Sequence, residues 1–103
     1  MSLPEQTPEQ RQAALEKAAA VRRERAEIKQ LLSMGTITFP ELLERAEEDD
    51  VVAGMKIGSV LPNLPRMGKV TSKRLLEELG IDDAKRIRGL GSRQRESLLE
   101  HLA

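Results

Sequence analysis

Residues 64–95 read LPRMGKVTSKRLLEELGIDDAKRIRGLGSRQR, and this stretch decides the fold. A turn, Leu64-Pro65-Arg66-Met67-Gly68, delivers the chain into a helix expected over about Lys69 to Leu79. Leu75, Leu76 and Leu79 recur at helical spacing and form its inner stripe, while Lys73 and Arg74 lie off it. Gly80 is placed to end the helix, with Ile81 packing back on Leu76. A turn-rich connection follows, through Gly80-Ile81-Asp82-Asp83 and then Arg88-Gly89-Leu90-Gly91. Ser92 reads as the cap of a last helix whose Leu98, Leu99 and Leu102 face inward. The order is helix, two turns, helix.

Upstream the pattern stays helical. Thr7-Pro8-Glu9-Gln10 carries an N-cap threonine, proline at the first helical position and glutamine to complete a capping box. The helix it opens is expected to run to Met34, stop at Gly35 and measure about 40 Å. Its apolar residues crowd at the end near Ile28, Leu31 and Leu32, so that end should dock while the Ala-rich start projects. Thr38-Phe39-Pro40-Glu41 repeats the capping-box pattern and opens a short helix to about Glu48, with Leu42, Leu43 and Ala46 inward. Gly54, Gly58, Pro62 and Pro65 break residues 51–66 into short turns, whose Val51, Val52, Met55, Ile57, Val60, Leu61 and Leu64 should fill the core. No strand alternation persists. The expected class is all-α: a long N-terminal helix, short helices and a C-terminal helix-two-turns-helix motif.

Composition narrows the chemistry. The 103 residues contain no Cys, which removes disulfides and zinc ribbons from consideration. His101 is the only histidine, so neither a His-based triad nor a His/Cys metal site can be assembled. Met1 to Gln6 has no basic flank or apolar stretch, so no signal peptide is expected, and no apolar run reaches membrane-spanning length. Neither a cofactor nor a metal is implied. The net charge is zero but unevenly placed. Residues 1–50 hold 7 Lys/Arg against 11 Asp/Glu, and residues 51–103 hold 10 against 6. That asymmetry divides the chain at residue 50 and suggests a polyanion-binding half beside an acidic one.

Two elements are able to bind phosphate. In the first, the turn before Lys69 presents the unpaired N–H groups of a helix N-terminus, where the dipole is positive. Gly68 lets a phosphate approach the backbone, and Lys69 adds charge. The long glycine spacing of a nucleotide-triphosphate loop is missing. In the second, Lys85, Arg86, Arg88, Arg93 and Arg95 cluster in eleven residues with no intervening carboxylate. Gly89 and Gly91 permit tight turns there, and arginine suits phosphate forks and narrow minor grooves. The plain alternatives are an ordinary helix start and a basic loop neutralised by Asp82, Asp83 and Glu96. Both elements share one architecture, a turn, a helix N-terminus and then cations, so together they can hold neighbouring phosphates along one groove.

At these residues the chain resembles a known family. The order Leu-Pro-x-x-Gly-Lys-Val at 64–70, then Leu-Glu-x-Leu at 76–79, then Lys-Arg-Ile-Arg-Gly-Leu-Gly-x-Arg-Gln-Arg at 85–95 is similar to the actinobacterial integration host factors. Thr-Pro-Glu-Gln-Arg-x-Ala-Ala-Leu-Glu-Lys-Ala at 7–18 resembles that family's long first helix. The resemblance implies a monomeric, sequence-tolerant binder of double-stranded DNA that shapes the nucleoid and assists site-specific recombination. It further implies a cytoplasmic, nucleoid location and a recombinase or topoisomerase as second partner. On that basis Gly68, Lys69, Lys73, Lys85, Arg86, Arg88, Gly89, Gly91 and Arg93 are the expected DNA-contacting residues. Residues 1–50 become the long helix with an acidic lid-like segment, and 51–103 the DNA-binding domain. Arg22, Arg23 and Arg25 are then placed to touch a second DNA segment. Gly58, Pro62 and Asn63 depart from the more regular helix expected of relatives.

Three rivals compete. Some DNA glycosylases use a two-turn helical motif with a catalytic N-terminal proline followed by glutamate, and Pro4-Glu5 echoes that pairing. Pro4 is internal, however, and no β-rich catalytic segment or zinc finger accompanies it. An RNA-binding or ribosomal module is the second rival: a reader of single strands would stack bases on aromatic rings, and Phe39 is the lone aromatic residue, whereas structured RNA stays open as a ligand. A helical protein without nucleic acid would leave the Lys85–Arg95 cluster without a role.

Overall fold

The structure, a computed structural model, describes residues 7–102. The leader expected over residues 1–6, with Pro4 and Glu5, lies outside the described residues. Six helices follow in order: α1 (Pro8–Ser33), α2 (Phe39–Glu48), α3 (Asp50–Ala53), α4 (Ile57–Val60), α5 (Lys69–Leu79) and α6 (Ser92–Leu102). Two 3₁₀ turns, Leu61–Asn63 and Ile87–Gly89, complete the regular structure.

Both capping boxes form. The Thr7 hydroxyl accepts from the Gln10 amide at 3.1 Å, while the Gln10 side chain accepts from the Thr7 amide at 3.0 Å. Thr38 and Glu41 repeat the exchange, each bond 3.3 Å long. Proline occupies the first turn of each helix, where a missing N–H costs nothing. Gly35, with φ +75°, ends α1: its amide donates to Leu32 and that of Thr36 to Leu31. Gly80, with φ +67°, ends α5 in the same way, its amide donating to Glu77 and that of Ile81 to Leu76. A side chain bearing a β-carbon is strained at such φ values, so glycine marks both stops.

One core, aliphatic but for Phe39, joins all the helices. Ile28 and Leu32 from α1, Phe39, Leu42 and Leu43 from α2, and Val52 from α3 are buried in it. They meet Met55, Ile57, Val60 and Leu61 from the middle, and Leu75, Leu76, Ile87, Leu90 and Leu98 from the C-terminal motif. The acidic and basic segments therefore share a core. Of α1, Ile28 and Leu32 are buried, whereas Ala14, Leu15 and Ala18 are exposed. The first turns of this helix project, as their thin apolar content dictates. Among the described residues no helix is long and apolar enough to cross a membrane.

The connection between α5 and α6 is anchored by its backbone. The Ile57 amide donates to Lys85 at 2.8 Å, and the Ile87 amide donates to Met55 at 2.9 Å. These bonds make an isolated antiparallel bridge of Lys56 with Arg86. The Gly58 amide donates to Asp83 at 2.9 Å. A loop that is turn-rich in sequence is thus stitched to the start of α4, and its cations inherit a fixed position.

Candidate nucleic-acid interface

The first element begins at Gly68, which caps α5 in an extended conformation, φ −129° and ψ 179°, with no side-chain cap. Gly68, Lys69, Val70, Thr71, Lys73 and Arg74 are all exposed. An uncapped helix start facing solvent keeps amide hydrogens available to an anion. Ser72 faces inward instead: it is 3 % exposed, and its hydroxyl donates to Lys69 at 3.1 Å. That bond is local to the first turn and helps hold Lys69 at the rim.

The second element lies beyond the anchored loop. Ile87 and Leu90 are buried as expected, which turns Arg86, Arg88 and Gly89 to the surface. Lys85 is half-buried and its stem packs 3.7 Å from where a β-carbon on Gly89 would stand. Ser92 was expected to cap α6, but the structure makes it the first helical residue. Gly91 is the cap: its carbonyl accepts from Arg95 and its amide donates to the Gln94 side chain, both at 3.0 Å. Gln94, three residues on, accepts from the Gly91 amide and so supplies the glutamine half of a capping box. Both motif helices therefore begin at a glycine, Gly68 and Gly91, and Arg93 lies exposed in the first turn of α6.

Charge is left uncompensated here. Among the described residues the one ion pair within 4.0 Å is Arg45 with Asp49, at 3.8 Å, away from the motif. Lys69, Lys73, Lys85, Arg86, Arg88 and Arg93 pair with no carboxylate there. The neutralised-loop alternative needed Asp82, Asp83 and Glu96 as partners, and none of them is within 4.0 Å of a cation among the described residues. Asp82 instead accepts from the Ala84 amide at 2.8 Å, and Asp83 lies against Gly58. Both carboxylates, together with Glu77, still line the groove that Gly68, Lys69 and Lys73 share with Lys29, Gly58 and Pro62, so lysines and carboxylates both border it.

The expected residues are not equivalent. Arg86 donates one guanidinium N–H to the Gly54 carbonyl, which fixes its direction and leaves its other donors free. Arg95, outside the expected set, is half-buried and reaches the Ile87 carbonyl at 3.5 Å. The arginine triplet of α1 is divided: Arg22 and Arg23 are exposed, whereas Arg25 turns inward and donates to the Val51 carbonyl at 3.2 Å.

Three surface features escaped the sequence reading. Lys29 of α1 lines the α5 groove, forty residues before Lys69 in the chain. Its spacing of four from Arg25 was the available signal, since both then share one helix face. Val70, between Lys69 and Lys73 in the chain, is an apolar residue 71 % exposed. Arg66 has φ +67°, a left-handed conformation that no sequence rule assigns to arginine.

Comparison with known proteins agrees with this geometry. A family model for the S13-like H2TH domain matches residues 32–102. An integration host factor of Streptomyces coelicolor is 51% identical over 98 residues, 95% of this chain and 92% of that protein. Integration host factors of Mycobacterium tuberculosis and Mycolicibacterium smegmatis are each 50% identical over 100 residues, covering 97% of this chain and 95% of theirs. A solved structure of sIHF bound to an 8bp palindromic DNA superposes with a TM-score of 0.81 at 44% identity, over 85% of this chain and 99% of that one.

Proposed function

Because the chain belongs to the actinobacterial integration host factor family and contains an S13-like H2TH domain, we propose that it is a sequence-tolerant, nucleoid-associated binder of double-stranded DNA. The observation that carries this reading is the pairing of two glycine-started helices, α5 and α6, with motif cations that have no carboxylate partner. The amide hydrogens and guanidinium forks hold neighbouring phosphates, with Arg88 and Arg93 toward the minor groove. Backbone contacts position the protein without reading bases, so sequence preference is weak. The buried Phe39, 2 % exposed, is withdrawn from stacking, which favours duplex over single strands.

On this reading the protein is a non-enzymatic monomer of the cytoplasmic nucleoid that shapes DNA and assists a recombinase or topoisomerase. The DNA contacts are Gly68, Lys69, Lys73, Lys85, Arg86, Arg88, Gly89, Gly91 and Arg93. Residues 1–50, with the projecting α1 and the acidic outer face of α2, flank residues 51–103 as a lid-like segment. Arg22 and Arg23 of that segment remain exposed to a second DNA segment.

The test is a gel-shift titration across salt with duplex DNA, single strands and duplex RNA. If about six to eight phosphates are neutralised, log affinity falls against log salt with a slope of about −5 to −7. Equal affinity for all three nucleic acids, or no duplex binding in dilute buffer, overturns the reading.

A further inference from the structure

Beside the α5 groove, on the far side of Lys29 and Ser59, lies a second concavity of about 320 Å³. Arg25 and Lys29 reach it from α1, Lys56 from the start of α4 and Arg86 from the anchored loop. Four cations line it and no carboxylate does. None of the four is within 4.0 Å of a carboxylate among the described residues.

The two arginines are held in place from behind. Arg25 donates Nε–H to the Val51 carbonyl at 3.2 Å, and Arg86 donates to the Gly54 carbonyl. Gly54 makes room for this: a β-carbon there would stand 2.7 Å from an Arg25 nitrogen and 3.6 Å from one of Arg88. The Lys56–Arg86 bridge fixes the spacing of the remaining wall. Guanidinium groups anchored through one donor keep the rest for a ligand, in a fork that matches phosphate oxygens.

We propose that this concavity is a site for a compact oligophosphate, the diphosphate group of a soluble nucleotide or pyrophosphate itself. Three considerations select that chemistry. Gathering four like charges without counter-charge is unfavourable, and a polyanion relieves it. The volume matches the small end of ligand pockets. A phosphodiester of the DNA backbone brings one negative charge, whereas a diphosphate brings several to one point. DNA backbone phosphates share the oxyanion chemistry and are the competing source. The inference stands apart from the DNA reading except at Arg86, a proposed DNA contact, and at Lys29, which also lines the α5 groove.

The test is calorimetric titration of the full chain with sodium pyrophosphate, with inorganic phosphate and duplex DNA titrated separately. Pyrophosphate is expected to bind saturably at one site and at least tenfold more tightly than inorganic phosphate. The double variant Lys29→Gln, Lys56→Gln is expected to weaken pyrophosphate at least tenfold while its melting curve matches wild type. A control, Lys69→Gln with Lys73→Gln, is expected to keep pyrophosphate binding, which separates this concavity from the α5 groove. Absence of pyrophosphate binding, or unchanged binding in the Lys29/Lys56 variant, overturns the proposal. Weakened duplex binding in that variant without any pyrophosphate binding by wild type assigns the cations to the DNA backbone, and likewise overturns the soluble source.

Discussion

The Gly58 amide donates to the Asp83 carbonyl at 2.9 Å, and a β-carbon on residue 58 would stand 2.6 Å from that of Asp83. The carbonyl itself would be 2.8 Å away. Backbone approaches backbone here, so no side-chain rotation relieves the contact. Gly58→Ala is therefore expected to destabilise the fold by about 1–3 kcal/mol, the usual range for overpacking. The loop carrying Lys85 and Arg86 shifts with it. Thermal denaturation measures the loss, and amide chemical-shift changes centred on residues 82–87 locate it; a melting temperature equal to wild type contradicts the argument.

Arg86 and Arg88 are expected to separate two roles. Arg86→Ala leaves the Gly54 carbonyl without its donor and removes a motif cation. It should cost about 1 kcal/mol of stability as well as DNA affinity. Arg88→Ala is expected to leave stability within about 0.5 kcal/mol and weaken all duplex sequences alike, reducing the salt slope by about 0.9 for one lost phosphate contact. Parallel denaturation and salt-dependent gel shifts make the comparison. A loss confined to one sequence would count against backbone recognition.

Arg66→Gly tests the left-handed turn before α5. Relief of a φ of +67° favours glycine by about 1–2 kcal/mol, while the freer unfolded chain opposes it by about 0.5–1 kcal/mol. The expected result is a variant as stable as wild type or up to about 1 kcal/mol better. Chemical denaturation checks it, and a clear loss of stability would mean that the Arg66 side chain contributes contacts of its own.

Thr38→Ala removes the hydroxyl that accepts from the Glu41 amide and donates to the Glu41 carboxylate at the start of α2, and leaves the bond from the residue-38 amide in place. The expected cost is about 1 kcal/mol, in line with other N-caps. DNA affinity should not change, because α2 lies outside the proposed contacts. A concurrent fall in duplex affinity would show that α2 positions the motif.

Glu24 predicts a pH dependence. Its carboxyl is held above the ordinary value of 4.5, chiefly by a hydrogen bond shared with Asp49 and then by partial burial and the like charges of Asp49 and Glu27. The Arg45 guanidinium opposes the shift. A carboxyl with a raised folded-state pKa binds its proton more tightly when folded. Its contribution to stability is whole below pH 4.5 and fades as pH rises through the raised value. Glu24→Gln should flatten the stability profile in that window. An unchanged slope of denaturation midpoint against pH would refute the Glu24–Asp49 contact.

The sequence by itself determined the elements and their ends. Thr7 with Gln10, Thr38 with Glu41, and the stops at Gly35 and Gly80 act within a few residues, so local chemistry suffices to read them. The helical spacing of Leu75, Leu76 and Leu98 likewise placed the core faces, and the composition marked residues 51–103 as the more basic half. Tertiary structure alone decided which cations are free and which are engaged. Arg25 turning to Val51, Arg86 to Gly54, and Lys29 joining a groove built mainly by α4 and α5 all join residues far apart in the chain. Such contacts depend on how helices dock on a shared core, and no pattern of neighbouring residues encodes that geometry.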